Sequence, residues 1–206
     1  MALVKYNNNS ISTISSAGQL ASGSLVPIKT LTISNSANAT LINGSSDVVL
    51  DGTYPIYIIK LINIHPASDR EEFTMNLTSD GTNFNVTKTT TCIEVYNWEN
   101  GSTPVFAYRG NLDLAQSTGE QSLATGCGND NDENICSIIH LFNPSSTTFV
   151  KHFLVDTQFT EGQGLCFRQP VAGYANTTSA ITGIRFKFAS GNIASGTIKL
   201  YGIKDS

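Results

Sequence analysis

The sequence predicts an all-β fold: an antiparallel β-sandwich, jelly-roll-like in type. Three observations predict it. Short stretches rich in Val, Ile, Phe, Tyr and Thr recur along the chain, separated by Gly, Asn, Pro and Ser turns. No stretch of helical length carries an apolar period near 3.6 residues. Charged residues are only 14% of the 206, and Ser, Thr and Asn supply the polarity instead, which favours strands and turns. About ten to twelve strands with turns between them suggest two packed sheets, and a jelly roll is one arrangement that shields their edges.

Residues 1–24 read as an arm. Tyr6-Asn7-Asn8-Asn9-Ser10 is polar, and Ile11 and Ile14 are sparse anchors. Such a segment cannot bury itself alone. It is either a disordered terminus or an arm that orders against a neighbouring subunit. Residues 25–206 read as one domain. Leu25–Ile33 is β-rich. Ala39–Ile42 and Val48–Leu50 are joined by Asn43-Gly44-Ser45-Ser46, a hairpin signal. Tyr54–Ile64 is a long strand with Pro55 at its start, where proline is tolerated. Phe73–Leu77 alternates and turns at Ser79-Asp80-Gly81-Thr82 into Asn83–Asn97. Pro104–Arg109 is a short strand. Asn111–Glu133 has no clear period and reads as a long surface excursion. Ile135–Phe142 turns at Asn143-Pro144 into Thr148–Val155. Leu165–Arg168 and Val171–Tyr174 follow. Gly183–Lys204 reads as a C-terminal hairpin, with Ile184, Phe186 and Phe188 inward and Arg185 and Lys187 outward.

Composition bounds the function. The net charge is −4 and no Lys/Arg block exists, which argues against nucleic-acid partners and against attachment to anionic membrane. Residues 1–30 lack an apolar h-region, so no secretory leader is expected. The four cysteines, Cys92, Cys127, Cys136 and Cys166, form no CxxC pair and are expected reduced. Cys127 and Cys136 flank a polar loop and are the candidate staple. Sequons at Asn38, Asn76, Asn85 and Asn176 follow from an Asn/Ser/Thr-rich composition.

Catalytic signatures are missing: no G-x-S-x-G, H-E-x-x-H or P-loop pattern occurs. His140 and His152 lie on strands expected to pair, and Cys136 is the nearest third ligand; ordinary strand histidines are the simpler reading. Glu94, Glu99, Asp156 and Glu161 are the carboxylates that a glycosidase groove could recruit. Asp130, Asp132 and Glu133 sit among amides in Gly128–Asn134 and resemble part of a calcium loop, without its later glycine and bidentate glutamate. Calcium is the one cofactor considered. Tyr96, Trp98 and Tyr108 are candidate glycan contacts, because sugars stack on exposed rings. Arg185 and Lys187, with Lys199, make a basic stripe that is the candidate oligomer contact, facing Asp130–Glu133 of another copy.

Several segments carry a resemblance: Val4–Ile11, Ser46–Asp51 with Tyr54–Tyr57, Asn63–Ala67, Leu141–Phe153, Ser190–Ile193 and Gly196–Lys204. Together they resemble small virion-associated structural proteins of marine tailed bacteriophages (cyanophage- and pelagiphage-like). The resemblance implies a virion structural protein, assembled in the bacterial host cytoplasm beside other phage virion proteins. It implies no active site. By analogy with phage sandwiches the expected state is a homotrimer. The expectation is a non-enzymatic capsid decoration or tail-associated protein. The alternative is a receptor-binding tip that recognises host surface glycans through loops such as Asn97–Pro104. A glycan-cleaving enzyme is disfavoured, since no β-helix repeat is visible.

Overall fold

The computed structural model describes residues 24–204. The arm expected over residues 1–24 lies outside them except for Ser24, whose carbonyl accepts from the Lys204 amide at 2.9 Å. The described chain is all-β, with twelve strands and every pairing antiparallel. They are β1 (Leu25–Ser36), β2 (Ala39–Ile42), β3 (Ile56–Pro66), β4 (Glu71–Thr78), β5 (Lys88–Trp98) and β6 (Val105–Tyr108). β7 (Gln121–Cys127), β8 (Ile135–Phe142), β9 (Lys151–Glu161), β10 (Leu165–Ala175), β11 (Gly183–Phe188) and β12 (Ile193–Ile203) follow.

The sheet has two limbs. The long limb runs β1-β12-β3-β8-β9-β10-β5-β6. The short limb runs β7-β4-β11-β2. A single backbone pair, Cys127↔Glu161, links β7 to the end of β9. One continuous core holds residues from both limbs, among them Phe73, Phe186, Tyr57, Phe153 and Phe159. Alternation is strictest on β9, where Lys151, Phe153, Val155, Thr157, Phe159 and Glu161 are buried and the intervening residues through Gln158 are exposed. The order establishes an all-β fold without establishing a jelly roll.

Four expectations are corrected. Gly183–Lys204 is not a hairpin: β11 pairs with β4 and β2, and β12 pairs with β1 and β3. Both are central strands needing a neighbour on each edge, and the chain changes limb between them. Val48–Leu50 forms no strand. Ser46 and Asp47 adopt left-handed φ (49° and 66°), and the Leu50 amide donates to Asn43 Oδ1 instead of a ladder. Phe73–Leu77 and Asn83–Asn97 form no strand pair, only one backbone bond from the Val86 amide to the Leu77 carbonyl at 3.3 Å; β4 stays in the short limb and β5 joins the long one. Finally, Asn111–Glu133 contains β7, whose residues Gln121–Ala124 are buried.

Candidate functional site

On β5 the even-numbered side chains face inward. Cys92 and Glu94 are buried, Tyr96 and Trp98 half-buried. Period-two alternation puts all four on one face, so the row climbs from the core towards an opening. The opening lies where the limbs join through only one backbone pair, and a cavity of about 340 Å³ sits there. Glu94, Tyr96 and Trp98 line it, with Leu165 and Phe167 from β10 and Glu161 from β9. Arg70 and Arg109 also line it, as do Thr125, Gly126 and Gln163.

The two carboxylates differ. Glu161 has both oxygens engaged: Oε1 lies 2.9 Å from Arg70 Nη2, and Oε2 accepts from the Gln163 amide at 2.8 Å. Gly126 (φ 74°) leaves room for it; a Cβ there would stand 3.2 Å from Glu161 Oε1. Glu94, only 2% exposed, accepts from Arg109 Nη1 through Oε1, while its buried Oε2 has no partner. The register Arg168↔Val95 and Val171↔Cys92 brings Gln169 alongside Glu94. Gln169 Nε2 donates to the Ser122 carbonyl at 3.4 Å, and its buried Oε1 also lacks a donor. An unsatisfied buried acceptor costs roughly 1–3 kcal/mol, more if charged, so two side by side mark a place where donors belong.

The other predicted residues are placed as follows. Tyr96 packs on Phe167 at 4.7 Å between ring centroids, and Phe167 stacks on Phe159 at 4.9 Å. Tyr108 stands apart from Tyr96 and Trp98. It pairs with Ile93 across β5–β6, on the outer face, and its hydroxyl donates to Asp113. Glu94 and Glu161 share the cavity, whereas Asp156 is on the outer face in a bidentate pair with Arg168 at 2.8 Å. Glu99 is exposed in the turn facing Gly164.

The basic stripe is not formed. Arg185 Nη2 lies 2.5 Å from Glu120 Oε1 of its own chain, with its guanidinium 4.5 Å over the Phe84 ring. Lys187 Nζ approaches the same oxygen at 3.9 Å. Lys199 sits on another limb, between Thr30 and Lys60. The stripe depended on a hairpin that the chain does not make.

Asp130 and Asp132 are exposed, and Glu133 turns inward to accept from the Asp130 amide at 2.9 Å. Among the described residues no three His, Cys, Asp or Glu gather as metal ligands. His140 stacks on Phe142, and His152 meets Tyr174 at a tilt of 52°. All four cysteines are free, as expected; Cys127 on β7 and Cys136 on β8 are separated by β9, so the candidate staple is not made. Burial pushes the Cys92 thiol up to about 11 and that of Cys127 up to about 12.

Glu133 lies where a Cβ on Gly128 would project. Gly128→Ala therefore expels that carboxylate and removes its bond to Asp130. Thermal denaturation should show a loss of about 1–3 kcal/mol, nearly unchanged when Glu133→Ala is added. Fully additive losses would refute this packing.

Tyr96, Trp98, Glu94 and Glu161 are sequence candidates that this site contains, and Glu94 has a signal in its own strand. A charge among inward apolar positions of an alternating strand is unusual, and the Cys92–Trp98 pattern displays it. Arg70, in the turn before β4, carries no such signal. Compared with known proteins, the chain matches no family model, no curated protein and no solved structure.

Proposed function

We propose that this protein is a non-enzymatic structural component of a tailed-phage virion, a capsid decoration or tail-associated protein acting as a homotrimer. The resemblance across the chain motivates the virion, and the outer face of the long limb supports the oligomer. The observation that carries it is apolar exposure on that face. Ile138 is 42%, Leu154 49%, Val95 37% and Phe106 76% exposed. They are spread over β8, β9, β5 and β6: Ile138 pairs with Asp156, Leu154 with His140 and Ala172, and Val95 with Arg168 and Phe106. Among the described residues the ion pair on this face is Asp156–Arg168, internally neutralised, with the Asp156 carboxyl held below its usual range by the arginine. A face with four exposed apolar side chains around an ion pair that cancels its own charge suits a second copy of itself.

Light scattering should find a trimer at micromolar concentration, and Leu154→Asp with Ile138→Asp should give a folded monomer. A monomeric wild type, or a trimer indifferent to both changes, overturns the assembly. Locating the chain in a density map of intact particles tests the virion.

A second reading is favoured by the cavity: a receptor-binding module that recognises host surface glycans. Trp98 and Tyr96 offer ring faces beside paired donors and acceptors, an arrangement suited to sugars. Binding rather than cleavage is the reading, because Glu161 has no free oxygen and Glu94 is tied to Arg109. Absence of binding to host polysaccharide removes it.

A further inference from the structure

The cavity beside Glu94 can be assigned a ligand chemistry, and the assignment rests on the glycan reading. We propose that it takes a neutral saccharide unit. In this arrangement Trp98 and Tyr96 meet the apolar face of the sugar ring. Arg109 donates to a ring or hydroxyl oxygen, and Glu94 and Gln169 accept from its hydroxyls.

Size is the first argument. About 340 Å³ falls at the small end of the ~300–1,000 Å³ common for small-ligand sites, enough for one or two sugar units. Charge is the second. The lining carries two carboxylates, Glu94 and Glu161, and two guanidiniums, Arg70 and Arg109, joined as Glu94–Arg109 and Glu161–Arg70. An acidic sugar would bring its anion against two carboxylates. A polyamine would bring its cations against two arginines. A neutral ligand meets neither penalty. The third argument is the hydrogen-bond count. Glu94 Oε2 and Gln169 Oε1 are buried acceptors without donors, next to each other by register. They call for a molecule rich in O–H donors. Glu94 and the half-exposed Arg109 side chain both line the cavity, and Gln169 is the buried cross-strand neighbour of Glu94. A sugar satisfies both conditions at once: C–H faces for the rings and hydroxyls for the orphaned acceptors.

Trp98 is the only tryptophan in the chain, so its fluorescence reports this cavity and nothing else. The test titrates the full-length protein with glucose, galactose, mannose and N-acetylglucosamine, with galacturonate and spermidine in parallel. Expected is a saturable change with at least one neutral sugar and none with the acid or the amine. Glu94→Gln should weaken that binding about tenfold, and Trp98→Ala, followed by ligand-observed NMR, should abolish it. Circular dichroism establishes that each variant is folded, and the wild-type titration decides even if a variant is not. A response only to galacturonate or spermidine overturns the assignment, as does sugar affinity unchanged in both variants. Host polysaccharide bound equally by wild type and both variants overturns it too, yet leaves the glycan reading standing at another surface. Host polysaccharide not bound by the wild type removes both.

Discussion

Phe73→Ala should lower stability by about 3–5 kcal/mol, the range for emptying a large aromatic site in a rigid core. Phe73 is fully buried on β4, flanked by β7 and β11. Its ring lies 4.9 Å from Phe188 and 6.1 Å from Phe186 between centroids, the latter nearly parallel at 9°. Its cross-strand partner on β7 is Ala124, too small to collapse into the vacancy. Both faces of β4 are covered, since every residue from Phe73 to Thr78 is buried, so the strand cannot tilt towards solvent to heal the hole. In a chain of this length that loss moves Tm down by about 6–20 °C. Phe106→Ala, at a position 76% exposed on the edge strand β6, is the counterpart: within about 0.5 kcal/mol in the monomer. Chemical denaturation of both variants checks the pair. A Phe73→Ala loss below about 1 kcal/mol would show that this cluster is not part of the cooperative core.

What was legible in the sequence follows from what a strand encodes locally. Alternation tells which face of a strand is buried, and Ile184, Phe186 and Phe188 are indeed buried. It does not tell which strand lies alongside. Ile184 is paired with Leu77 on one side and Leu41 on the other, contacts spanning most of the chain. The hairpin reading came from nearness in sequence, and the same error joined β4 to β5. β7 was missed for a different reason. A strand buried on both faces loses its polar alternation, and Gln121 and Ser122 are buried there with apolar Leu123 and Ala124. Gln121 is tolerated because Thr90 donates to its Oε1 at 2.6 Å and its Nε2 reaches two carbonyls. No local pattern announces that the partner is Thr90 on the opposite limb. The candidate site shows the same division. Tyr96, Trp98 and Glu94 lie on one strand and could be read as one face. The Arg70–Glu161 pair and the orphaned Gln169 oxygen exist only once distant strands meet.

Stability should rise with pH between about 8 and 10.5 through one residue, Lys88, by about 3 kcal/mol. Lys88 is fully buried at the start of β5, and its ammonium donates to Asn76 Oδ1 at 2.6 Å and the Val86 carbonyl at 2.8 Å. Burial pulls its pKa down from 10.5 to about 8, the charge of Glu120 offsetting only part. Below pH 8 both folded and unfolded chains hold the proton, and the folded state carries the full desolvation penalty. Between about 8 and 10.5 the unfolded chain stays protonated while the folded chain does not, so each pH unit adds stability, about 1.4 kcal/mol at most. Above 10.5 both are neutral and the gain is complete. Cys92 and Cys127 act in the opposite sense: their raised folded values make stability fall as pH climbs past the ordinary thiol range. The wild-type profile therefore mixes both. The difference between wild type and Lys88→Met isolates the lysine, because methionine fills the same volume without titrating. Asn76 Oδ1 still accepts from the Leu77 amide at 2.9 Å, so the variant folds without a new orphan there. At pH 7 Lys88→Met should match or exceed wild type, as replacing a buried charge by an apolar chain often does. Its advantage should then shrink by about 3 kcal/mol by pH 10.5, read from denaturant midpoints across the range. A difference that stays flat with pH would mean that Lys88 keeps its ordinary pKa and is solvated in a way its burial does not permit.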